Sequence, residues 1–344
     1  MTRVLIVDDS AVVRKTLSDQ LSAYEDIRVV GTAIDPYIAR DKIIKLKPDV
    51  VTLDIEMPRM DGLTFLAKLM RFYPIPVVII SSLSPENSEN AMRALRLGAV
   101  EVISKPGSQY TITEDPSRVV RAIRAAAVAH PMRQNDFPPS SNGPSAQEFT
   151  RLSTTHKVIA IGASTGGTVA IETILRELPG NTAGTVIVQH MPEYFTNTFA
   201  KRLNSICAME VREAKDHDSV IPGVVLLAPG NHHMVLQSSG AQYMVRIKEG
   251  PLVNYQRPSV DVLFHSVARS AGSNAMGVLL TGMGSDGAKG LLAMRQSGAY
   301  TVAQDEKSSV VFGMPKEAIG LDAVCEVTSL PQIAHSIVHR LSLQ

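Results

Sequence analysis

Cysteine is nearly absent. Cys207 and Cys325 are the only two in 344 residues, too few for a disulfide framework and in keeping with a reducing compartment. Net charge is nearly absent as well. Lys and Arg total 34 against 33 Asp and Glu, a formal +1, which gives no general attraction to nucleic acid or anionic lipid. No stretch approaches the ~20 apolar residues of a membrane span, and MTRVLIVDDS turns acidic before a signal peptide's apolar core could form. The expectation is a soluble, cytoplasmic protein with no membrane insertion and no nucleic-acid partner. A repeat at a fixed solenoid period, a His-Glu-x-x-His motif and a cysteine-rich spacing are all missing too, so nothing supports a zinc site. What is present is ordinary globular composition, 44% apolar and 19% charged. At roughly 150 residues per domain, the length suggests two domains.

The chain divides by rhythm. Up to about Ala127, short apolar runs (Val4–Val7, Val29–Ala33, Val50–Leu53, Val77–Ile80, Val100–Ile103) alternate with stretches of helical spacing. Continuous apolar runs of this kind are buried parallel strands, and crossover helices must join them. Residues 130–150, HPMRQNDFPPSSNGPSAQEFT, lose all periodicity and read as a linker. The rhythm resumes at Val158–Ile161, Thr185–Val188, Val224–Ala228 and Gly277–Leu280. His232–Leu236 and Tyr243–Ile247 flank Ser238-Ser239-Gly240 as a β-hairpin, and Leu330–Leu343 has the spacing of a closing helix. The predicted fold class is α/β: two doubly wound parallel-sheet domains, the second with an antiparallel hairpin insertion. The boundaries expected are 1–124, a linker at 125–153, and 154–344.

Ligands of open parallel sheets bind beyond the carboxyl ends of the strands. Asp8 and Asp9 follow the first run and Asp54 the third, and such carboxylates repel unless a cation such as Mg²⁺ neutralises them. Ser81 follows the fourth run and Lys105 the fifth, adding a hydroxyl and an ammonium to the same rim. That set suits an aspartyl-phosphate site. One acidic residue after a strand can simply cap the next helix, as Asp9-Ser10 could. The ordered set is what points further.

Residues 1–124 resemble a response-regulator receiver domain, through VDDS, TLDIEMPRMDG around Asp54, ISS at Ser81 and SKP at Lys105. The resemblance implies Asp54 as phosphoacceptor, Mg²⁺ held by Asp9, Asp54 and the Glu56 carbonyl with Asp8 in the acidic set, and Ser81 and Lys105 on the phosphoryl group. It departs at Val102, where receivers often carry an aromatic switch residue. A switch of the Tyr/Phe kind is therefore not expected.

In the second half, Val158–Ile161 runs into Gly162-Ala163-Ser164-Thr165-Gly166-Gly167 and a helix predicted over Thr168–Leu178. Gly-x-Ser-x-Gly lets the backbone turn sharply and presents Ser164 at the sheet rim, beside a helix N-terminus whose amides can hold an oxyanion. The same turn could bind a phosphate or only cap the helix. His190 ends the next strand, and Asp286 lies in Thr281-Gly282-Met283-Gly284-Ser285-Asp286-Gly287 after Gly277–Leu280. Hydroxyl, base and carboxylate from three strand ends on one rim are what a catalytic triad needs. The chain order Ser–His–Asp differs from the Ser–Asp–His of α/β-hydrolases, so the motif does not license that fold. His232 and His233 point to opposite faces and cannot chelate one metal, His217 sits in an Asp216–Asp218 loop and reads as solvated, and His265, His335 and His339 fall on predicted helices and read as structural. Cys207 reads as core packing.

Residues 154–344 resemble the catalytic domain of the chemotaxis protein-glutamate methylesterases, through GASTGG at 162–167, QHMP at 189–192, RPSVD at 257–261 and LLTGMGSDGAKG at 279–290. The resemblance implies Ser164 as nucleophile, His190 as base, Asp286 as its partner, and glutamate methyl esters of chemoreceptors as substrate, with receptor glutamines deamidated by the same chemistry. The backbone amides of Thr165 and Met283 are the expected oxyanion donors. A chemotaxis histidine kinase is the expected phosphodonor, and no cofactor is expected for ester hydrolysis. A tethered receiver would obstruct the rim until Asp54 is phosphorylated. Three rivals remain at this point: a DNA-binding regulator, which lacks a basic helix-turn-helix; a binding module that cradles an anion at 164–167; and a metal-dependent hydrolase using His190.

Overall fold

The computed structural model describes residues 1–82, 85–105, 117–129, 156–240 and 242–342. The chain separates into two compact units, Met1–Asp136 and Phe137–Gln344.

In the first unit β1 (Thr2–Val7), β2 (Ile27–Ala33), β3 (Val50–Asp54), β4 (Val77–Ser81) and β5 (Glu101–Ser104) alternate with α1 (Ala11–Ser22), α2 (Pro36–Leu46), α3 (Gly62–Phe72), α4 (Pro85–Arg96) and α5 (Ser117–Val128). The sheet is parallel, in the order β2-β1-β3-β4-β5. Helices cover both faces, so Val4, Ile6, Val50, Val78 and Ile80 are all buried in one core with Leu17, Leu21 and Ile123. Helix starts are set by side-chain caps. Asp35 accepts from the amides of Tyr37 and Ile38, and Asp61 from that of Thr64, each such cap being worth about 1 kcal/mol. Strand order reverses between β1 and β3, which opens the crevice where a doubly wound sheet binds its ligand.

Residues 125–128, placed in the linker from sequence, are the last turn of α5. The rest of that expected linker, 130–153, lies outside the described residues.

The second unit holds two sheets. Seven parallel strands run in the order β15-β14-β13-β6-β7-β10-β8: β6 (Val158–Ala163), β7 (Gly184–Gln189), β8 (Glu210–Glu213), β10 (Val224–Leu227), β13 (Ala275–Leu279), β14 (Tyr300–Gln304) and β15 (Glu326–Thr328). The predicted hairpin is β11 (His233–Ser239) with β12 (Gln242–Lys248), and the two-residue strand β9 (Ser219–Val220) joins it to make a three-stranded antiparallel sheet. The helices are α6 (Gly167–Glu177), α7 (Phe195–Asn204), α8 (Val260–Ala271), α9 (Ala288–Gln296), α10 (Met314–Gly320) and α11 (Leu330–Ser342).

The chain lays β6 first, builds outward through β7, then returns to place β13 on the other side of β6. The switch point therefore lies at β6, between β7 and β13. Close packing holds α8 over this point. A side chain at Gly162 would run into Val260, and its Cβ would also sit 3.2 Å from the Phe264 ring. The absent side chain thus lets α8 lie against β6 and brings the N-terminus of α8 to the rim.

Candidate active site and phosphoacceptor site

Register builds the first pair. Ala163 of β6 pairs with Gln189 of β7, so Ser164 and His190 leave neighbouring strands on the same rung. The His190 amide donates to the Ala163 carbonyl at 3.1 Å, and Ser164 N donates to Thr281 O at 3.0 Å. Gln189 Nε2 donates to the carbonyls of Ser164 (2.9 Å) and His190 (3.2 Å), stapling the two turns together. The Ser164 carbonyl accepts from Gly167 N at 2.7 Å, which starts α6, and Gly166 takes φ +80, a conformation costly for any residue with a side chain. Ser164 is nearly buried, held by backbone on both sides.

Asp286 completes the group. Its Oδ2 lies 2.8 Å from His190 Nε2, and both side chains are almost wholly buried. Four more donors reach the carboxylate: Val260 N (2.7 Å) on Oδ2, and Asn254 Nδ2 (2.7 Å), Ser259 Oγ (2.8 Å) and Asp261 N (3.2 Å) on Oδ1. Burial alone would push this carboxyl upward; the hydrogen bonds from His190, Asn254 and Ser259 overcome it and hold the acid below its ordinary value. Asp286 also sits at the N-terminus of α8, where free amides favour negative charge. A proton on Nε2, facing the carboxylate, leaves Nδ1 of His190 as the basic nitrogen, and Nδ1 is buried with no hydrogen-bond partner. In the familiar triad Nδ1 faces the carboxylate, whereas here Nε2 does.

The expected oxyanion residues flank Ser164. Thr165 is buried and its carbonyl accepts from Thr281 Oγ1 at 2.9 Å. Met283, half-buried, follows Gly282, whose hypothetical Cβ would lie 2.6 Å from Ser164 Cβ. Beyond them, Asn231 links three loops: its amide donates to Arg257 O (3.1 Å), its Oδ1 accepts from Arg257 Nε (3.0 Å), and its Nδ2 reaches Glu193 Oε2 (3.5 Å). The loops so joined expose Tyr194, Leu252 and Tyr255.

Sequence reasoning missed Asn254 and Ser259. RPSVD was visible as a motif, but its task, capping α8 through Ser259 and aiming amides at Asp286, is not a pattern of spacing. Two other histidines lie apart from this group. His233 donates from Nε2 to Pro251 O (2.9 Å) and accepts at Nδ1 from Ser259 N (3.3 Å), while His217 is exposed beside Asp216. Cys207 is half-buried rather than core, and burial, with the Glu172 charge, pushes its thiol up to about 11.

On the first unit the carboxylates converge as the spacing predicts. Asp8, Asp9 and Asp54 each offer an oxygen, all within 4.8 Å of one another, with Asp8 and Asp54 buried and Asp9 exposed. Lys105 Nζ lies 2.6 Å from Asp54 Oδ2 and 3.2 Å from Asp8 Oδ2. Burial raises Asp54 to about 6, against the pull of Lys105, with the Asp8 charge adding to the rise. The Glu56 amide donates to Asp54. Ser81 is buried at the end of β4, and its carbonyl accepts from Lys105 N at 2.9 Å. An all-oxygen donor set carrying excess negative charge, with one exposed member, fits a hard divalent cation. Val102 is buried in β5, paired with Ile79, and presents no aromatic surface.

Fold and sites define the class: a response regulator, with a receiver domain followed by an α/β output domain. The response regulator receiver domain family model matches residues 4–115, and the model described as CheB methylesterase matches residues 159–337. The chain belongs to the CheB methylesterase family. It is 55% identical over 336 residues to protein-glutamate methylesterase/protein-glutamine glutaminase 2 of Syntrophus aciditrophicus, covering 98% of each chain. It is 50% identical over 342 residues to the protein-glutamate methylesterase/protein-glutamine glutaminase of Escherichia coli, covering 99% of this chain and 97% of that one. The crystal structure of the Thermotoga maritima CheB methylesterase catalytic domain aligns with a TM-score of 0.53 at 36% identity, covering 54% of this chain and 98% of that one.

Proposed function

We propose that this chain hydrolyses glutamate γ-methyl esters on chemoreceptors to glutamate and methanol, deamidates receptor glutamines by the same route, and is regulated by phosphorylation at Asp54. The observation that supports it best is the 2.8 Å His190–Asp286 contact, one strand away from Ser164 on the same rung. His190 Nδ1 takes the proton of Ser164 as Oγ attacks the γ-carbonyl, general-base help typically worth ~10²–10⁴-fold. Asp286 holds the imidazole by Nε2 and stabilises the imidazolium that forms. The amides of Thr165 and Met283 receive the oxyanion, and loss of one such donor costs on the order of 3 kcal/mol. Methanol leaves with a proton from His190, and water, deprotonated by the same ring, releases the glutamate. Ammonia leaves instead when the substrate is glutamine.

Two rival readings lose ground. The second unit, α/β throughout, has no basic helix-turn-helix among its described residues, and the group of candidate metal donors found among the described residues is Asp8, Asp9 and Asp54, in the first unit.

On the receiver, Mg²⁺ would be held by Asp8, Asp9, Asp54 and the Glu56 carbonyl, and when bound it neutralises the charge that gathers as Asp54 accepts a phosphoryl group from a histidine kinase. Ser81 and Lys105 contact that group. The work is done in the cytoplasm, and no helix among the described residues is long and apolar enough to cross a membrane. The test is methanol release from methylated receptor membranes. Wild-type chain with a small phosphodonor releases methanol and Ser164→Ala does not; release that survives in Ser164→Ala overturns the serine mechanism.

A further inference from the structure

Residues 253–256 form a tight turn beside the catalytic carboxylate. Val253 N donates to Gln256 O at 3.0 Å and Gln256 N to Val253 O at 2.9 Å, so the turn is closed from both sides. Its two central residues, Asn254 and Tyr255, both have left-handed backbones, φ +52 and +62. A two-residue hairpin turn asks for this pair of conformations, and Asn followed by Gly adopts them with least strain. Here the second place is a tyrosine. Strain of this kind persists only where surrounding contacts hold it.

One of the contacts that hold the turn is the side-chain amide of Asn254. Asn254 Nδ2 donates to Asp286 Oδ1 at 2.7 Å and to Asp261 Oδ2 at 2.8 Å, so its two hydrogens each serve a buried carboxylate. Asp261 is otherwise fixed, with Oδ1 accepting from Gly290 N at 2.6 Å. Burial raises the Asp261 carboxyl, and the charge of Asp286 raises it further, so the two acids repel across the Asn254 amide. Asn254 is itself exposed while both carboxylates are buried, so its side chain closes their solvent side.

We propose that Asn254 is a positioning residue: it holds Asp286 and Asp261 apart and turns Asp286 Oδ2 toward His190, and the left-handed turn exists to deliver that amide. This rests on the reading of Ser164, His190 and Asp286 given above. A turn residue without this task would behave differently on substitution. Glycine suits φ +52 better than asparagine does, so Asn254→Gly keeps the turn and removes only the amide.

The experiment compares wild type, Asn254→Gly and Asn254→Asp as full-length chains, measuring methanol release across pH, with thermal melts. In Asn254→Gly we expect a modestly lower Tm, because two buried carboxylates each lose a donor, with a kcat about tenfold lower and KM within about twofold of wild type. The acid limb of kcat/KM moves to higher pH, because a carboxylate that loses a donor holds the imidazolium more tightly. The other ionisable groups around Asp286 are His190 itself, Asp261 and His265 on α8, and the exposed Lys289 on α9; all are unchanged in both variants. Asn254→Asp keeps the shape and replaces the donor by a third negative charge, so the limb moves further in the same direction. Wild-type kcat and acid limb in Asn254→Gly overturn the proposal, as does a rise confined to KM, which makes the turn a substrate contact. An inactive wild-type chain overturns the esterase reading and this proposal together.

Discussion

A side chain at position 282 and the hydroxyl-bearing carbon of Ser164 exclude each other: a Cβ on Gly282 would lie 2.6 Å from Ser164 Cβ. The loop after β13 thus rests directly on Ser164, with Gly282 N donating to Val311 O and Gly282 O accepting from Met314 N. Gly282→Ala would push Ser164 off its rung. We expect kcat to fall by about 10²-fold for a displacement of this kind, with overpacking costing about 1–3 kcal/mol of stability. Methanol release and a thermal melt of the same preparation read both.

The base can be tested by chemistry at its partner. A serine-directed organophosphonate should label Ser164 in the wild-type chain and fail in His190→Ala. Asp286→Asn, which reverses the donor arrangement at His190 Nε2, should lower kcat by up to about 10⁴-fold if orientation and tautomer are its contribution. Labelling that proceeds equally in His190→Ala would remove His190 from the mechanism.

The same carboxylate sets a pH dependence of stability. Asp286 has a folded value below the 3.8 of a free side chain, so its ionised form is favoured by folding. Its contribution is complete above the unfolded value and is lost as pH falls toward the folded one. Between pH 5 and 3, wild type should therefore lose stability faster than Asp286→Asn, as followed by urea melts. Parallel curves would mean that the five hydrogen bonds do not favour the charged form.

Asp54 runs the other way. Its folded value near 6 means that ionisation at neutral pH opposes folding, a penalty that grows as pH rises from about 4 to 6. Asp54→Asn should then raise the stability of the receiver at pH 7.5 by on the order of 2 kcal/mol, with little gain at pH 4. Mg²⁺ should stabilise the wild-type receiver at pH 7.5 and progressively less as pH falls through 6, because protons compete for the same oxygen. A Mg²⁺ response unchanged in Asp54→Asn would place the ion elsewhere.

Regulation has its own measurement. A small phosphodonor with Mg²⁺ should speed methanol release by the full-length chain, and Asp54→Asn should abolish the increase while leaving basal release. Equal stimulation of both chains would disconnect Asp54 from the output domain.

Elements with dense apolar runs were legible in the sequence. All five receiver strands and β6, β7, β10 and β13 lie where apolar runs fall, because a strand covered on both faces is apolar at nearly every position; β2, a sheet edge with half-buried residues, was legible through its Val29-Val30 core alone. The strands β8, β14 and β15 escaped this logic for different reasons. Glu210–Glu213 and Glu326–Thr328 are sheet edges with exposed residues. Tyr300–Gln304 is buried but carries polar groups with specific work, such as Gln304 Oε1 accepting from Thr281 N at 2.9 Å. Hydrogen-bonded polar residues in a core leave no hydrophobic trace.

Sequence alone indicated the α/β class, the family resemblance and which polar residues stand at the strand ends, since strand burial and strand-end position both follow from local pattern. Tertiary structure decided which ring nitrogen of His190 faces Asp286, and it recruited Asn254 and the start of α8 to the carboxylate. Those contacts join residues 26 to 96 positions apart. Their distances depend on the packing of α8 against β6, which no single segment encodes.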